Sequence, residues 1–117
     1  MENYNCIESL EGEELNIVSF VMDYVELHFN GPIIRALTDP IVKTPNGEYQ
    51  FPKSGSRDAL CKFIGKKVES IIFRDNVSLT LVFLENEKII IPLDGNSLTG
   101  PEAMHWCPVG GPMQVWQ

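Results

Sequence analysis

The chain has 117 residues, 44% of them hydrophobic and 21% charged, with a net charge of −7. That length and balance fit one domain, 1–117, with one core, and they exclude a disordered chain. They hold no run near the roughly 18 apolar residues of a membrane span, so neither a membrane nor, with this charge, a nucleic acid is an expected partner.

The acidity is uneven. Residues 1–30 carry seven acids and no Lys or Arg, whereas residues 31–117 carry nine of each sign. Such a field repels nucleic acid and attracts basic partners. The first residues lack a basic stretch leading into an apolar one, as a secretory signal would need. The three cysteines, Cys6, Cys61 and Cys107, are odd in number and widely spaced. Reduced thiols in a cytoplasmic protein are therefore the expectation.

In chain order, the first expected element is a short helix ending near Gly12, capped by Asn3 or Asn5, with Cys6, Ile7 and Leu10 inward. A strand through Leu15 and Phe20 turns at Met22-Asp23. An alternating strand follows over 24–29, with Val25, Leu27 and Phe29 inward and Glu26 and His28 outward. Asn30-Gly31 is a tight reversal into the apolar run from Ile33 to Leu37, which stops at Asp39-Pro40. Thr44-Pro-Asn-Gly47 reads as a turn and residues 51–56 as a loop.

The second half repeats this plan. Ser56 is positioned to cap a helix over 57–64, with Gly65 past its end and Ala59, Leu60, Phe63 and Ile64 on one face. Gly12 then matches Gly65, Leu15 matches Val68, and Phe20 matches Phe73. A turn at Asp75-Asn76 leads to Leu79, Leu81 and Phe83, and a second turn leads to the nearly all-apolar 88–93. That run reads as a covered or central strand, although Pro92 cannot donate to a ladder. Residues 96–117 read as an irregular tail with a last short strand at 114–116. Where the first half has Glu13-Glu14, the second has Lys66-Lys67, a contrast that pairs the halves internally or supports a head-to-tail dimer.

The expected fold is therefore α+β. Two pseudo-repeated units, about 5–40 and 57–95, each combine a short helix with a three-stranded antiparallel meander, and they form one sheet or a small sandwich.

No residue set stands out as catalytic. His28 beside Glu26 could do acid–base work, but outward neighbours on a strand are ordinarily a solvated face. His105-x-Cys107 lacks the further ligands that zinc needs, and Cys61 is placed near the buried face of its helix, where a thiol acts as a small hydrophobe. Phosphate-binding, nucleophile-elbow and zinc-protease patterns are missing from the sequence. Trp106, Trp116, Tyr4 and Tyr24 are aromatic types that favour interfaces, although at least one Trp is expected to cover the sheet edge or the core instead.

Several segments together resemble a family. They are Asp23-Tyr-Val-Glu-Leu-His-Phe29, Arg57-Asp-Ala-Leu-Cys-Lys-Phe-Ile-Gly65, Val77 to Phe83, Ile89-Ile-Ile-Pro-Leu-Asp94, Gly100-Pro-Glu-Ala103 and Val115-Trp116. From about residue 10 onward the chain resembles small, functionally uncharacterised bacterial proteins, some of which look like immunity proteins of contact-dependent growth inhibition and related polymorphic toxin systems. The resemblance implies a non-enzymatic inhibitor, without metal or cofactor, that binds one cognate toxin domain. Many such toxins are nucleases with basic surfaces, which an acidic inhibitor can match. Glu11, Glu13, Glu14, Asp23 and Glu26 are the expected toxin-binding residues, with Tyr24 as an anchor, on a chain expected to be a monomer rather than a homodimer. The alternative is a small-ligand-binding or enzymatic domain with its site between the halves.

Overall fold

The structure is a computed structural model that describes residues 6–117. The expected caps Asn3 and Asn5, and Tyr4, lie outside the described residues.

The fold is almost entirely antiparallel sheet. The first meander is β1 (Ile17–Val21), β2 (Tyr24–His28) and β3 (Ile33–Ala36), followed by a hairpin of β4 (Ile41–Thr44) and β5 (Gly47–Gln50). After the helix α1 (Ser56–Cys61) comes a second meander, β6 (Ser70–Arg74), β7 (Ser78–Val82) and β8 (Lys88–Pro92). A second hairpin, β9 (Met104–Cys107) and β10 (Gln114–Trp116), ends the chain. Two five-stranded sheets result, ordered β1-β2-β3-β9-β10 and β5-β4-β8-β7-β6. Neither expected half closes a sheet alone, because each meander is extended by a hairpin from elsewhere in the chain. β9 pairs with β3, and β4 pairs with β8.

The alternation that marks the meanders also builds the core. Val25, Leu27 and Phe29 of the β2 segment, Ile34 and Trp106 join Leu79, Leu81, Ile89 and Ile91 in one buried cluster. The two sheets therefore meet over a shared interior, and one continuous sheet is excluded. β8 lies inside its sheet, as its apolar run implies. Its pairing with β4 covers only Lys88 to Ile90, so the missing N–H of Pro92 falls beyond the end of that ladder. The carbonyl of Pro92 accepts from the buried Thr38 hydroxyl at 2.6 Å.

The helices differ from expectation. Before the first meander the chain makes only a four-residue 3₁₀ turn, Ile7–Leu10, since one such turn is too short to propagate an α-helix. In α1, Ser56 is the first helical residue rather than the cap, and its hydroxyl donates to the Lys53 carbonyl at 2.6 Å. Ser56, Ala59, Leu60 and Phe63 form the inner face, spaced three and four apart. Cys61 lies off that stripe and is exposed, and Ile64 is 45% exposed beyond the helix end. The expected last strand at 114–116 is present as β10, but the tail before it is not all irregular. β9 inserts between β3 and β10, alternating Met104 and Trp106 inward with His105 and Cys107 outward.

Two segments outside the sheets bind each other reciprocally. The Gly12 N–H donates to the Val68 carbonyl, and the Gly65 N–H donates to the Leu15 carbonyl, both at 2.7 Å. Leu15 donates to Lys66, and Val68 donates to Glu13. Glu14 and Lys67 are backbone bridge partners at the centre, so the two oppositely charged pairs lie side by side within one chain. Both glycines take positive φ (87° and 91°), where a side chain would be strained.

Among the described residues no helix is long and apolar enough to cross a membrane.

Candidate functional site

Every second residue of β2 points inward, so its other residues necessarily build an outer face. Register then fixes their neighbours across the first sheet. Ser19 lies opposite Glu26, Glu26 opposite Arg35, Arg35 opposite His105, and His105 opposite Val115. A row of polar and charged side chains therefore crosses the middle of this face.

Arg35 is its hub. Its Nε donates to Glu26 Oε2 at 2.8 Å, and its Nη1 reaches Cys107 Sγ at 3.5 Å and Met113 Sδ at 3.8 Å. The other Glu26 oxygen meets His28 Nε2 at 3.1 Å. The Arg35 hydrogen bond holds the Glu26 carboxyl below its ordinary value, against the opposing effect of burial, with His28 contributing less. The same bond raises the Arg35 guanidinium. His105 Nε2 lies 2.7 Å from Glu102 Oε1, while its Nδ1 is buried and unpartnered among the described residues. Because a carboxylate oxygen only accepts, Nε2 is the donor in this contact.

Exposed apolar side chains border this row. Ile17 and Val21 stand along β1, Val115 on β10, and Met113 beside Arg35, with Ile17 47% and Met113 49% exposed. Met22, in the β1–β2 turn, is 94% exposed.

The six residues expected from sequence do not form one patch. Tyr24 and Glu26 share the outer face of the first sheet, and Asp23 is exposed at its turn. Glu11, Glu13 and Glu14 lie before β1, roughly 17 Å away along the β1–β2 hairpin. Glu11 turns toward the other sheet, where its Oε2 accepts from the Ile71 N–H at 3.1 Å. Glu14 is opposite Lys67. Glu13 is exposed on the rim of a cleft of about 560 Å³ between the 3₁₀ turn, the β2–β3 turn and the β9–β10 loop. A second cleft, of about 280 Å³, lies between α1 and the β4–β5 turn, with Tyr49 and Phe63 as aromatic walls and Lys62, Lys66, Asp58 and Glu87 around them.

No protein-family model, curated protein or solved structure matches the chain. Among the described residues no group of three or more His, Cys, Asp or Glu is arranged to hold a metal ion.

His28 beside Glu26 and His105-x-Cys107 stand out in the sequence, whereas Arg35, which joins Glu26 to Cys107, does not. The signal was present in the hairpin. Counting outward from Asn30-Gly31 puts position 35 opposite position 26. The link to Cys107, 72 residues away, needs the β3–β9 pairing and carries no local signal.

Proposed function

We propose that this chain is a non-enzymatic protein-binding domain that neutralises a toxin domain in the manner of an immunity protein. The outer face of the first sheet is the main surface, and the acidic first segment is its electrostatic guide. The composition of that face carries the reading. Met22, Tyr24, Arg35 and Met113 stand on it or at its rim, half-buried or exposed, and Tyr, Met and Arg are enriched in protein interfaces. The fixed Glu26–Arg35 pair adds an ordered, directional hydrogen-bonding centre. A net charge of −7 favours a basic partner, as a nuclease toxin is, and speeds its association.

The scaffold reading belongs with this proposal. We infer an internal duplication of a unit made of a turn or helix, a meander and a hairpin, in which each hairpin completes the other unit's sheet. Two observations support it: the reciprocal hydrogen bonds of Gly12–Leu15 with Gly65–Val68, and the same strand order outward from each meander.

The test is binding to the product of the neighbouring open reading frame, measured by calorimetry across a salt series. Removing charge at Glu11, Glu13, Glu14, Asp23 and Glu26 together should weaken binding and flatten its salt dependence. Equal affinity and an unchanged salt slope would falsify the assignment of this surface.

A further inference from the structure

Resting on the protein-binding reading, we infer that the cleft beside Glu13 receives a lysine or arginine side chain of the partner. The chemistry of its walls fits such a guest. Pro32 and the exposed Val109 offer apolar surface for an aliphatic stem, over a floor closed by the buried Leu10 and Phe29, and Glu13 offers a carboxylate at the rim. Long cationic side chains bind in this divided way, with the stem against apolar surface and the head on an anion. Glu13 is exposed, and its carboxylate has no ion pair or hydrogen bond among the described residues.

The other side of the molecule contains the same arrangement already filled. Glu13 and Lys66 hold corresponding places in the reciprocal ladder, because the Glu13 carbonyl accepts from Val68 and the Lys66 carbonyl accepts from Leu15. Leu10 and Phe63 correspond in the same way, three residues earlier. On the Lys66 side, the ammonium lies 2.6 Å from Glu87 Oε1 and 5.4 Å from the Phe63 ring centroid. That combination of cation, carboxylate and aromatic ring is a stable one. On the Glu13 side the place of Glu87 falls near Pro32, and the ladder residue is the anion itself. The carboxylate and the apolar walls are present, and the cation is left for a guest to bring. Charge also selects the guest, since an acidic side chain would meet Glu13 in a chain that is already strongly negative.

The probes are tri-arginine and tri-lysine peptides with blocked ends, titrated into the full chain and followed by amide chemical shifts. Tri-glutamate and tri-serine serve as controls. The basic peptides should move the amides of Glu13, Phe29, Asn30 and Val109 along one saturating curve. Glu13→Gln should weaken that binding about two- to five-fold, the range of an exposed ion pair. Glu13→Lys should abolish it, and Glu14→Gln should leave it unchanged. Unchanged melting temperatures keep a folding defect from imitating the result.

Shifts spread evenly over Glu11, Glu14 and Asp23, or equal response to tri-glutamate, would overturn the cleft. So would undiminished affinity in Glu13→Gln. The broader reading fails separately: peptide binding at the cleft without toxin binding leaves the cleft standing, and salt-dependent toxin binding that ignores Glu13→Lys removes only the cleft.

Discussion

Gly31→Ala tests the part of the fold that shapes the Glu13 cleft. Gly31 sits in the β2–β3 turn with φ +131°, and a Cβ there would lie 2.8 Å from Val109 Cγ2. Two costs follow. Holding a side chain at that φ costs about 1–3 kcal/mol. Displacing Val109 costs about 0.5–1.5 kcal/mol, because the side chain is exposed and can leave its rotamer. The combined loss should be roughly 2–4 kcal/mol, which lowers the urea midpoint by on the order of 1–2 M.

Val109→Ala separates the two costs. In the double variant the contact is removed and the backbone strain remains, so stability should return only in part. Urea unfolding of the four proteins, with the slope checked for constancy, gives the cycle directly. An unchanged midpoint in Gly31→Ala would refute both the turn conformation and the packing. Full recovery in the double variant would leave no backbone strain, and no recovery would mean that the β9–β10 loop does not rest on this turn.

Three further outcomes are expected. Trp106→Ala should cost about 3–5 kcal/mol by thermal or urea unfolding, since this fully buried ring fills the shared core from β9; a loss below about 1 kcal/mol would return β9 to the irregular tail. Glu26→Gln should cost roughly 0.5–1 kcal/mol at neutral pH. The wild-type pair is intact above the ordinary Glu value of 4.5 and is lost as pH falls through the lowered folded value, so the variant should lack that part of the acid limb. Asp39 is shifted the other way, raised above 3.8 by burial and partly relieved by Lys53. Asp39→Asn should therefore raise the urea midpoint at pH 7, with the gain disappearing below pH 3.8, because a raised carboxylate costs stability only where it is ionised in the fold.

The six meander strands were legible because large apolar residues alternate with polar ones between recognisable turns. Val25, Leu27 and Phe29 show the pattern plainly, as do Leu79, Leu81 and Phe83. Of the four hairpin strands only β10, expected at 114–116, was legible. β4 has one buried hydrophobic residue, Val42, and β9 has Met104 and Trp106 amid residues that read as a tail. Their stability comes from partners far along the chain, as when Ile34 faces Trp106 and Val42 faces Ile89. Local periodicity holds no information about such pairing. The turn Thr44-Pro-Asn-Gly47 was read correctly without the strands it joins, since turn chemistry is local. The first helix failed for the opposite reason: Ile7 and Leu10 are inward as expected, but three-residue spacing over so short a run suits a 3₁₀ turn equally well.

The acidity concentrated in the first 30 residues becomes something narrower in space. Folding sets Glu14 opposite Lys67, where side chains across an antiparallel pair stand about 4.5–5.5 Å apart at Cβ. Glu26 is joined to Arg35, and Glu11 accepts a backbone N–H of β6. Glu26 and Glu11 are answered locally, so neither contributes a bare charge to a partner at contact range, whereas the exposed Glu14 carboxylate has no ion pair among the described residues. Glu13, Glu14 and Asp23 are the expected acids without such an answer among the described residues, the first two before β1 and Asp23 at the opposite end of the β1–β2 hairpin. At distances beyond the Debye length a basic partner experiences only the screened net charge. At contact a basic partner of the proposed kind would meet two separate anionic ends, with the ordered Glu26–Arg35 centre and its apolar border between them. Long-range attraction and docking specificity therefore depend on different residues. Neutralising Glu11 should slow association with little effect on dissociation, whereas altering Glu13 or Arg35 should change the dissociation rate.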